Sequence, residues 1–204
     1  PMIVIVRHGN TFEDGEPPRR IGAGTDLPLT RRGEEQARAL GRCFADKGWN
    51  FARILASPLQ RTWQTAEAVV ACQITPARIE PAPFLREIDH GPDEDQREDV
   101  VIARIGQQAL DAWDKDAVAP PGWQVDPETR TSAWHEFLIA TASVTQPVLA
   151  VTSNGAARFA LLSHRSLSEQ SRKLNSLKLS TGAFGVIVPA PRGTWQIATW
   201  NERP

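Results

Sequence analysis

The chain has no tyrosine, one methionine and only two cysteines among its 204 residues. Two cysteines cannot form the several bridges that staple a small secreted domain. Cys43 and Cys72 fall in helical patterns with no cysteine or histidine at ligand spacing, so they read as small core or half-buried residues. No metal or other cofactor is expected, and the cysteine usage fits a cytoplasmic protein. Charge of either sign is not in excess: 23 Lys and Arg stand against 24 Asp and Glu, a net −1. A broad basic face is excluded, and nucleic acid is not an expected partner. No apolar run approaches the ~20 residues that span a bilayer, so no membrane association is expected. The first apolar run is itself a strand rather than a signal peptide, and Pro1 ahead of Met2 reads as an added residue. Internal repeats and low-complexity stretches are lacking too.

What is present fits one α/β unit. Hydrophobic residues make up 41% of the chain, enough for one sizeable core, so a single domain over 1–204 is expected. Oligomeric state is open between monomer and homodimer. Met2-Ile3-Val4-Ile5-Val6 is short, apolar and β-branched, as a strand buried on both faces is. Strands are expected at 2–7, 53–56, near Ile79 and at 147–152. Helices are expected at 30–47, 58–72, 97–116, 127–143 and 155–163, with Thr30 as N-cap and Gly48 closing the first. Phe184–Pro189 and Thr194–Thr199 flank Pro191-Arg192-Gly193 as a hairpin. Alternating strands and helices imply a three-layer α/β/α sandwich with a mainly parallel sheet.

Three strands run into polar residues. The first ends in Arg7-His8-Gly9-Asn10-Thr11, the second in Ser57-Pro58-Leu59-Gln60-Arg61, and the third in Thr152-Ser153-Asn154-Gly155. Carboxyl ends of central strands are where open α/β sheets bind ligands. Two arginines, a histidine and a helix start on one rim suit an anion, because guanidinium forks match phosphate oxygens. Neighbouring cations also keep an imidazole neutral, the state a nucleophilic nitrogen needs.

Four ordered blocks carry a family resemblance. They are Arg7-His8-Gly9 with Thr11; Asp26-Leu27-Pro28-Leu29-Thr30 with Gly33 and Gln36-Ala37; Ser57-Pro58-Leu59-Gln60-Arg61-Thr62 with Gln64-Thr65-Ala66; and Leu85-Arg86-Glu87-Ile88-Asp89 with Gly91. In this order, from Ile3 to about Gly155, the chain resembles the histidine phosphatase superfamily, the phosphoglycerate mutase-like group. The resemblance implies that His8 is phosphorylated during turnover and that Arg7 and Arg61 clamp the phosphate. It implies Asn10, Thr11, Arg20, Asn154 and Gly155 as phosphate- or substrate-binding residues, with Arg19 adjacent to Arg20. Glu87 is the implied general acid, with Asp89, Asp93 and Glu94 as nearby substitutes, and His90 reads as a loop histidine rather than a catalytic one.

Two departures stand out. The family's Trp-Glu-Gly segment is replaced by Pro92-Asp93-Glu94-Asp95, which keeps only the glutamate. The family's Ser-His-Gly is Ser153-Asn154-Gly155 here. An amide donates one neutral hydrogen bond, about 1–2 kcal/mol weaker than a charge-assisted one. The expected activity is metal-independent hydrolysis of a small phosphorylated metabolite through phospho-His8. The alternatives are phosphoglycerate mutase-type transfer, against which the lack of tyrosine counts, dephosphorylation of phosphohistidine in proteins, and a phospholigand-binding pseudoenzyme. Residues 92–143 are expected to form a helical insertion over the pocket. Each of the seven tryptophans reads first as core, with Trp123 the candidate for an apolar wall against the substrate.

Overall fold

A computed structural model describes residues 1–204. Eight strands form in chain order: β1 (Ile3–Arg7), β2 (Arg19–Arg20), β3 (Arg53–Ala56), β4 (Ile79–Pro81), β5 (Gln96–Arg97), β6 (Val148–Thr152), β7 (Phe184–Ala190) and β8 (Thr194–Glu202). Seven α-helices accompany them: α1 (Arg31–Asp46), α2 (Gln60–Val70), α3 (Glu98–Ile105), α4 (Gln107–Asp116), α5 (Pro127–Thr141), α6 (Asn154–Ala157) and α7 (Arg165–Ser171). Six strands make one sheet in the order β4-β3-β6-β1-β7-β8, with β4, β3, β6 and β1 parallel and β7 antiparallel to β1. β2 and β5 pair separately, Arg19 opposite Arg97. The result is a three-layer α/β/α fold with a mostly parallel sheet.

The period of two along a strand explains why β1 is apolar up to Arg7. Ile3 and Ile5 enter one core, while Val4 and Val6 enter the other. β6 divides in the same way, Val148 and Ala150 against Leu149 and Val151. Leu40 and Phe44 of α1 with Ala66 and Val69 of α2 cover the second face. Trp134, Phe137 and Leu138 of α5 with Phe159 and Leu167 cover the first. Each fully buried branched side chain contributes about 1.5–3 kcal/mol of transfer free energy, so two charged faces could not replace these.

Helix ends follow their local chemistry. Thr30 Oγ1 accepts the Gly33 N–H at 3.1 Å, and Gly48 lies at φ 72° past the end of α1. The single helix expected at 97–116 is instead two, because Gly106 takes φ 84° and breaks the ladder between α3 and α4. The helix expected at 155–163 is one α turn at Asn154–Ala157 followed by a 3₁₀ stretch, Arg158–Leu162. α7 was not expected: at seven residues, with Leu167 its one buried apolar side chain, it carries no readable period.

Register brings the strand ends level. Arg7 pairs with Thr152, Ala56 with Val151, and the Ser57 N–H donates to Val151 O at 3.1 Å. Because β6 lies between β3 and β1, the three polar strand ends share one rim of the sheet.

Candidate active site

β1 holds Arg7 and His8 at that rim. The His8 ring is 4% exposed, and its Nδ1 lies 2.7 Å from Gly9 O. A carbonyl only accepts, so Nδ1 carries the hydrogen and Nε2 keeps its lone pair. Burial, then the Arg61 and Arg7 charges, push the ring well below its ordinary pKa, with the Gly9 bond opposing. His8 is therefore neutral with a free Nε2.

Arg7 donates through one terminal nitrogen to Leu179 O at 2.8 Å. Burial lowers its pKa to about 10, Glu87 opposing, which leaves it a cation at neutral pH. Arg61 sits in the first turn of α2, wholly buried. Its terminal nitrogens donate to Thr25 O at 2.5 Å and Gly22 O at 3.1 Å. The helix start is fastened from the preceding loop, since Asp26 Oδ1 accepts the Gln60 N–H at 2.7 Å. Thr65 Oγ1 accepts the Gly9 N–H at 3.3 Å and donates to Arg61 O at 2.8 Å, tying α2 to the residue beside His8.

Glu87 follows the short 3₁₀ turn Pro83–Leu85 and is 6% exposed. Its Oε1 accepts the Ile88 and Ala156 N–H groups, both at 3.0 Å, and its Oε2 accepts that of Gly155 at 3.1 Å. A Cβ on Gly155 would collide with Oε1, so residue 155 must be glycine for this seat to exist. Burial is the largest influence on Glu87 and raises its pKa. His90, the Gly155 and Ile88 N–H groups and Arg61 outweigh burial, and the net shift is downward. In the unliganded site Glu87 is a carboxylate.

Asn154 begins α6. Its Oδ1 accepts the Leu179 N–H at 2.9 Å, which leaves the amide N–H₂ for the cavity it lines. Asn10 Oδ1 accepts from Thr181 Oγ1 at 2.6 Å, again leaving an amide N–H₂.

A cavity of about 580 Å³ opens over these groups. Of the site residues expected from sequence, His8, Arg7, Glu87, Asn10, Thr11, Arg20, Asn154 and Gly155 line it, whereas Arg61 lies behind the wall. Arg20 donates to Glu98 at 2.5 Å and stacks over Trp123 at 5.4 Å, while Arg19 turns to Asp95 and Glu16. The outer lining mixes signs: Glu13, Asp14, Glu16 and Glu98 with Arg19 and Lys178.

Five buried side-chain polar atoms in the chain have no partner: Nε of Arg7, Arg20 and Arg61, and Oγ of Ser57 and Ser153. Four belong to the three strand ends and the fifth to a cavity-lining arginine. Buried polar groups are almost always hydrogen-bonded, so this concentration marks a place built for an acceptor-rich ligand.

One reading from sequence is corrected. Trp123 does not wall the cavity: it is buried, meets Trp113 edge-on at 5.4 Å and donates through Nε1 to Asp93 at 2.8 Å. Trp113 reaches the lining instead. His90 does lie in a loop, just before the 3₁₀ turn Gly91–Asp93. It is 3% exposed, lines the cavity, and holds Nδ1 3.1 Å from Glu94 Oε1. The substitutes for Glu87 are engaged elsewhere: Asp93 with Arg104 and Trp123, Asp89 with the Gly91 N–H, Glu94 with His90. His90 stands three residues after Glu87 in the same block, a signal the sequence offered. Lys178, Leu179 and Thr181 come from a late loop with no local pattern. No group of three or more His, Cys, Asp or Glu is arranged to hold a metal ion, and no helix is long and apolar enough to cross a membrane.

A family profile described as histidine phosphatase superfamily (branch 1) matches residues 3–203. A 2,3-bisphosphoglycerate-dependent phosphoglycerate mutase of Rhizobium etli is 30% identical over 121 residues, 58% of this chain and 56% of that protein. A protein named Probable phosphoglycerate mutase GpmB, of Enterobacter sp. (strain 638), is 41% identical over 91 residues, 44% of this chain and 39% of its own length. The chain thus matches about two fifths to just over half the length of these relatives. Among solved structures, mycobacterial glucosyl-3-phosphoglycerate phosphatase superposes with TM-score 0.79 at 20% identity, covering 100% of this chain and 99% of that one. Phosphoserine phosphatase of Entamoeba histolytica, in complex with 3-phosphoglyceric acid, superposes with TM-score 0.75 at 18% identity, covering 98% and 96%. At these identities the structural likeness is one of fold.

Proposed function

The chain belongs to the histidine phosphatase superfamily (branch 1), and from that premise we propose that it hydrolyses a small phosphomonoester, without a metal, through a phosphohistidine on His8. The observation that carries this reading is the concentration of unpartnered buried donors around a neutral histidine whose Nε2 is free.

His8 Nε2 attacks phosphorus in line, and the bond from phosphorus to the ester oxygen breaks. Arg7 on the cavity wall, and the charge of Arg61 from behind it, neutralise the equatorial oxygens, where loose phosphoryl transfer concentrates charge. The Asn154 and Asn10 amides, with Thr11, complete the cradle. Glu87 is the proton donor. It starts ionised, and a bound phosphate monoanion raises its pKa and passes it the proton that the leaving oxygen then takes. Water resolves phospho-His8 to inorganic phosphate and the free imidazole. Residues 1–204 act as one unit, with the helical segment 92–143 as cover over the cavity, to which it contributes Trp113 and Glu98.

The test is a panel of phosphomonoesters in EDTA, read for free phosphate and for acid-labile phosphohistidine. Both signals are expected in the native protein and lost in His8→Ala. Binding without phosphohistidine or release would overturn the reading in favour of a phospholigand-binding protein, which the neutral amide of Asn154 would explain. Isomerisation of 3-phosphoglycerate in place of hydrolysis would identify a mutase.

A further inference from the structure

His90 is a buried histidine of the cavity wall that the reaction above leaves without a task. Its surroundings hold it in one orientation. Nδ1 faces Glu94 Oε1 at 3.1 Å, and the ring meets Trp123 edge-on at a centroid distance of 4.7 Å. Glu94 is anchored in turn by the Gly22 N–H at 2.8 Å and Thr25 Oγ1 at 2.5 Å. Burial raises its pKa, but bonds from His90, Thr25 and Gly22 outweigh burial and hold it at about 2, so Glu94 is an anion. Gly22 has no room for a side chain, because a Cβ there would meet Glu94 Oε1 and His90 Nδ1.

A carboxylate on Nδ1 fixes a hydrogen there and holds the ring in one orientation. Nε2 itself has no hydrogen-bond partner in the chain, although the residue lines the cavity. Anions Glu87, Asp93 and Glu94 act on the ring, and cations stand beyond its neighbours: Arg61 bonds Gly22 O, and Arg20 stacks on Trp123. The ring thus sits between the buried clamp and the outer lining. His90 lines the same cavity as His8, Arg7 and Glu87, so it faces the space that a phosphomonoester on His8 would fill.

We propose that His90 is a further catalytic residue: as the imidazolium, with Nδ1–H on Glu94, it donates its Nε2–H to the ester's leaving oxygen as negative charge develops there, with Glu94 as the positioning residue. This rests on the phosphomonoester reading above. No proton leaves His90 in the step: Glu87 supplies the proton, and His90 stabilises the charge before it arrives.

The test compares glycerol 2-phosphate, whose alkoxide needs help to leave, with p-nitrophenyl phosphate, whose phenolate does not. His90→Phe keeps the ring and its packing on Trp123 but loses the donor. It is expected to lose about 100-fold in kcat/KM on the alkyl ester and about fivefold on the aryl ester. His90→Gln, whose amide N–H reaches toward the Nε2 position, should recover about tenfold of the alkyl-ester loss. Glu94→Gln should show the same bias toward the alkyl ester at smaller size. Equal losses on both esters, or none, with the melting temperature retained, would overturn the assignment. If His90→Phe has no cooperative melt, the ester bias of His90→Gln and Glu94→Gln decides in the same way. Phospho-His8 that forms normally beside uniform losses removes the His90 role alone, whereas its absence in the native protein removes the hydrolase reading and this role together.

Discussion

The side-chain oxygen of Asn154 accepts the backbone N–H of Leu179 at 2.9 Å, and this one bond settles which end of the amide faces the cavity. The carbonyl of the same residue accepts the Arg7 guanidinium at 2.8 Å. One residue of the late loop therefore orients a cation and a neutral donor that line the cavity with His8.

Asn154→Asp keeps the acceptor that Leu179 requires and replaces the donor with an anion. It should fold normally and lose about 10²–10³-fold in kcat/KM, the usual cost of removing an oxyanion donor. Asn154→His is more constrained. To carry a charge, its Nδ1 must release the Leu179 N–H, and a buried unsatisfied donor costs about 1–3 kcal/mol, which offsets the gain from a charged donor. Turnover should change by less than about tenfold, and a rise of about 100-fold in steady-state assays would refute the Leu179 constraint.

Glu87→Gln turns an amide N–H₂ toward the N–H groups of Gly155, Ala156 and Ile88, where the carboxylate had accepted all three. The expected loss is about 1–3 kcal/mol of stability, and about 10²–10⁴-fold in turnover of alkyl esters. Gly155→Ala attacks the same seat sterically, through the collision with Glu87 Oε1. Thermal melts and kcat measured together check both, and a Glu87→Gln protein of native melting temperature would argue against the seat.

Acid should destabilise the fold through His8. Its native pKa lies below the ordinary 6.5, so below that pH the unfolded chain binds a proton that the native chain does not. Stability then rises with pH through this window and falls as pH drops below about 6.5. Glu94 acts lower: its native value of about 2 against 4.5 unfolded contributes stability that is lost as pH falls from 4.5 toward 2. Urea melts of the native chain and His8→Asn at about pH 7.5 and 5.5 separate the two, since His8→Asn should lose less stability over that interval than the native chain.

The same protonation states shape activity. His8 stays neutral into acid and Glu87 is ionised, so the proton for the leaving group enters with the substrate monoanion. Phosphate monoesters lose that proton near about pH 6, so kcat/KM should decline above it. A pH profile rising steadily through pH 8 would contradict this proton inventory.

Trp123→Phe should cost stability rather than binding. The change removes the bond from Nε1 to Asp93 while Arg104 still satisfies that carboxylate. A loss of about 1 kcal/mol, or a fall of about 2–4 °C in melting temperature, is expected. A large rise in KM with unchanged melting temperature would return Trp123 to the substrate wall.

The strands, their ends and the nucleophile were legible in the sequence because each has a local cause. β1 and β6 are apolar over their first four positions because each faces two cores. Thr30, Gly48 and the hairpin at Pro191-Arg192-Gly193 announce themselves through capping and turn chemistry. His8 is marked by the arginine before it and the matching strand end at Arg61. Tertiary structure alone decided the rest. Arg7 meets Leu179 across 172 positions, Asn154 meets the same residue across 25, and Glu87 meets Gly155 across 68. Those contacts decide which amide end faces the cavity, whether the carboxylate is charged, and that His90 is in the site at all. Periodicity and capping report a residue's own turn or strand. Hydrogen-bond direction and charge state depend on partners that only the folded chain brings within 3 Å.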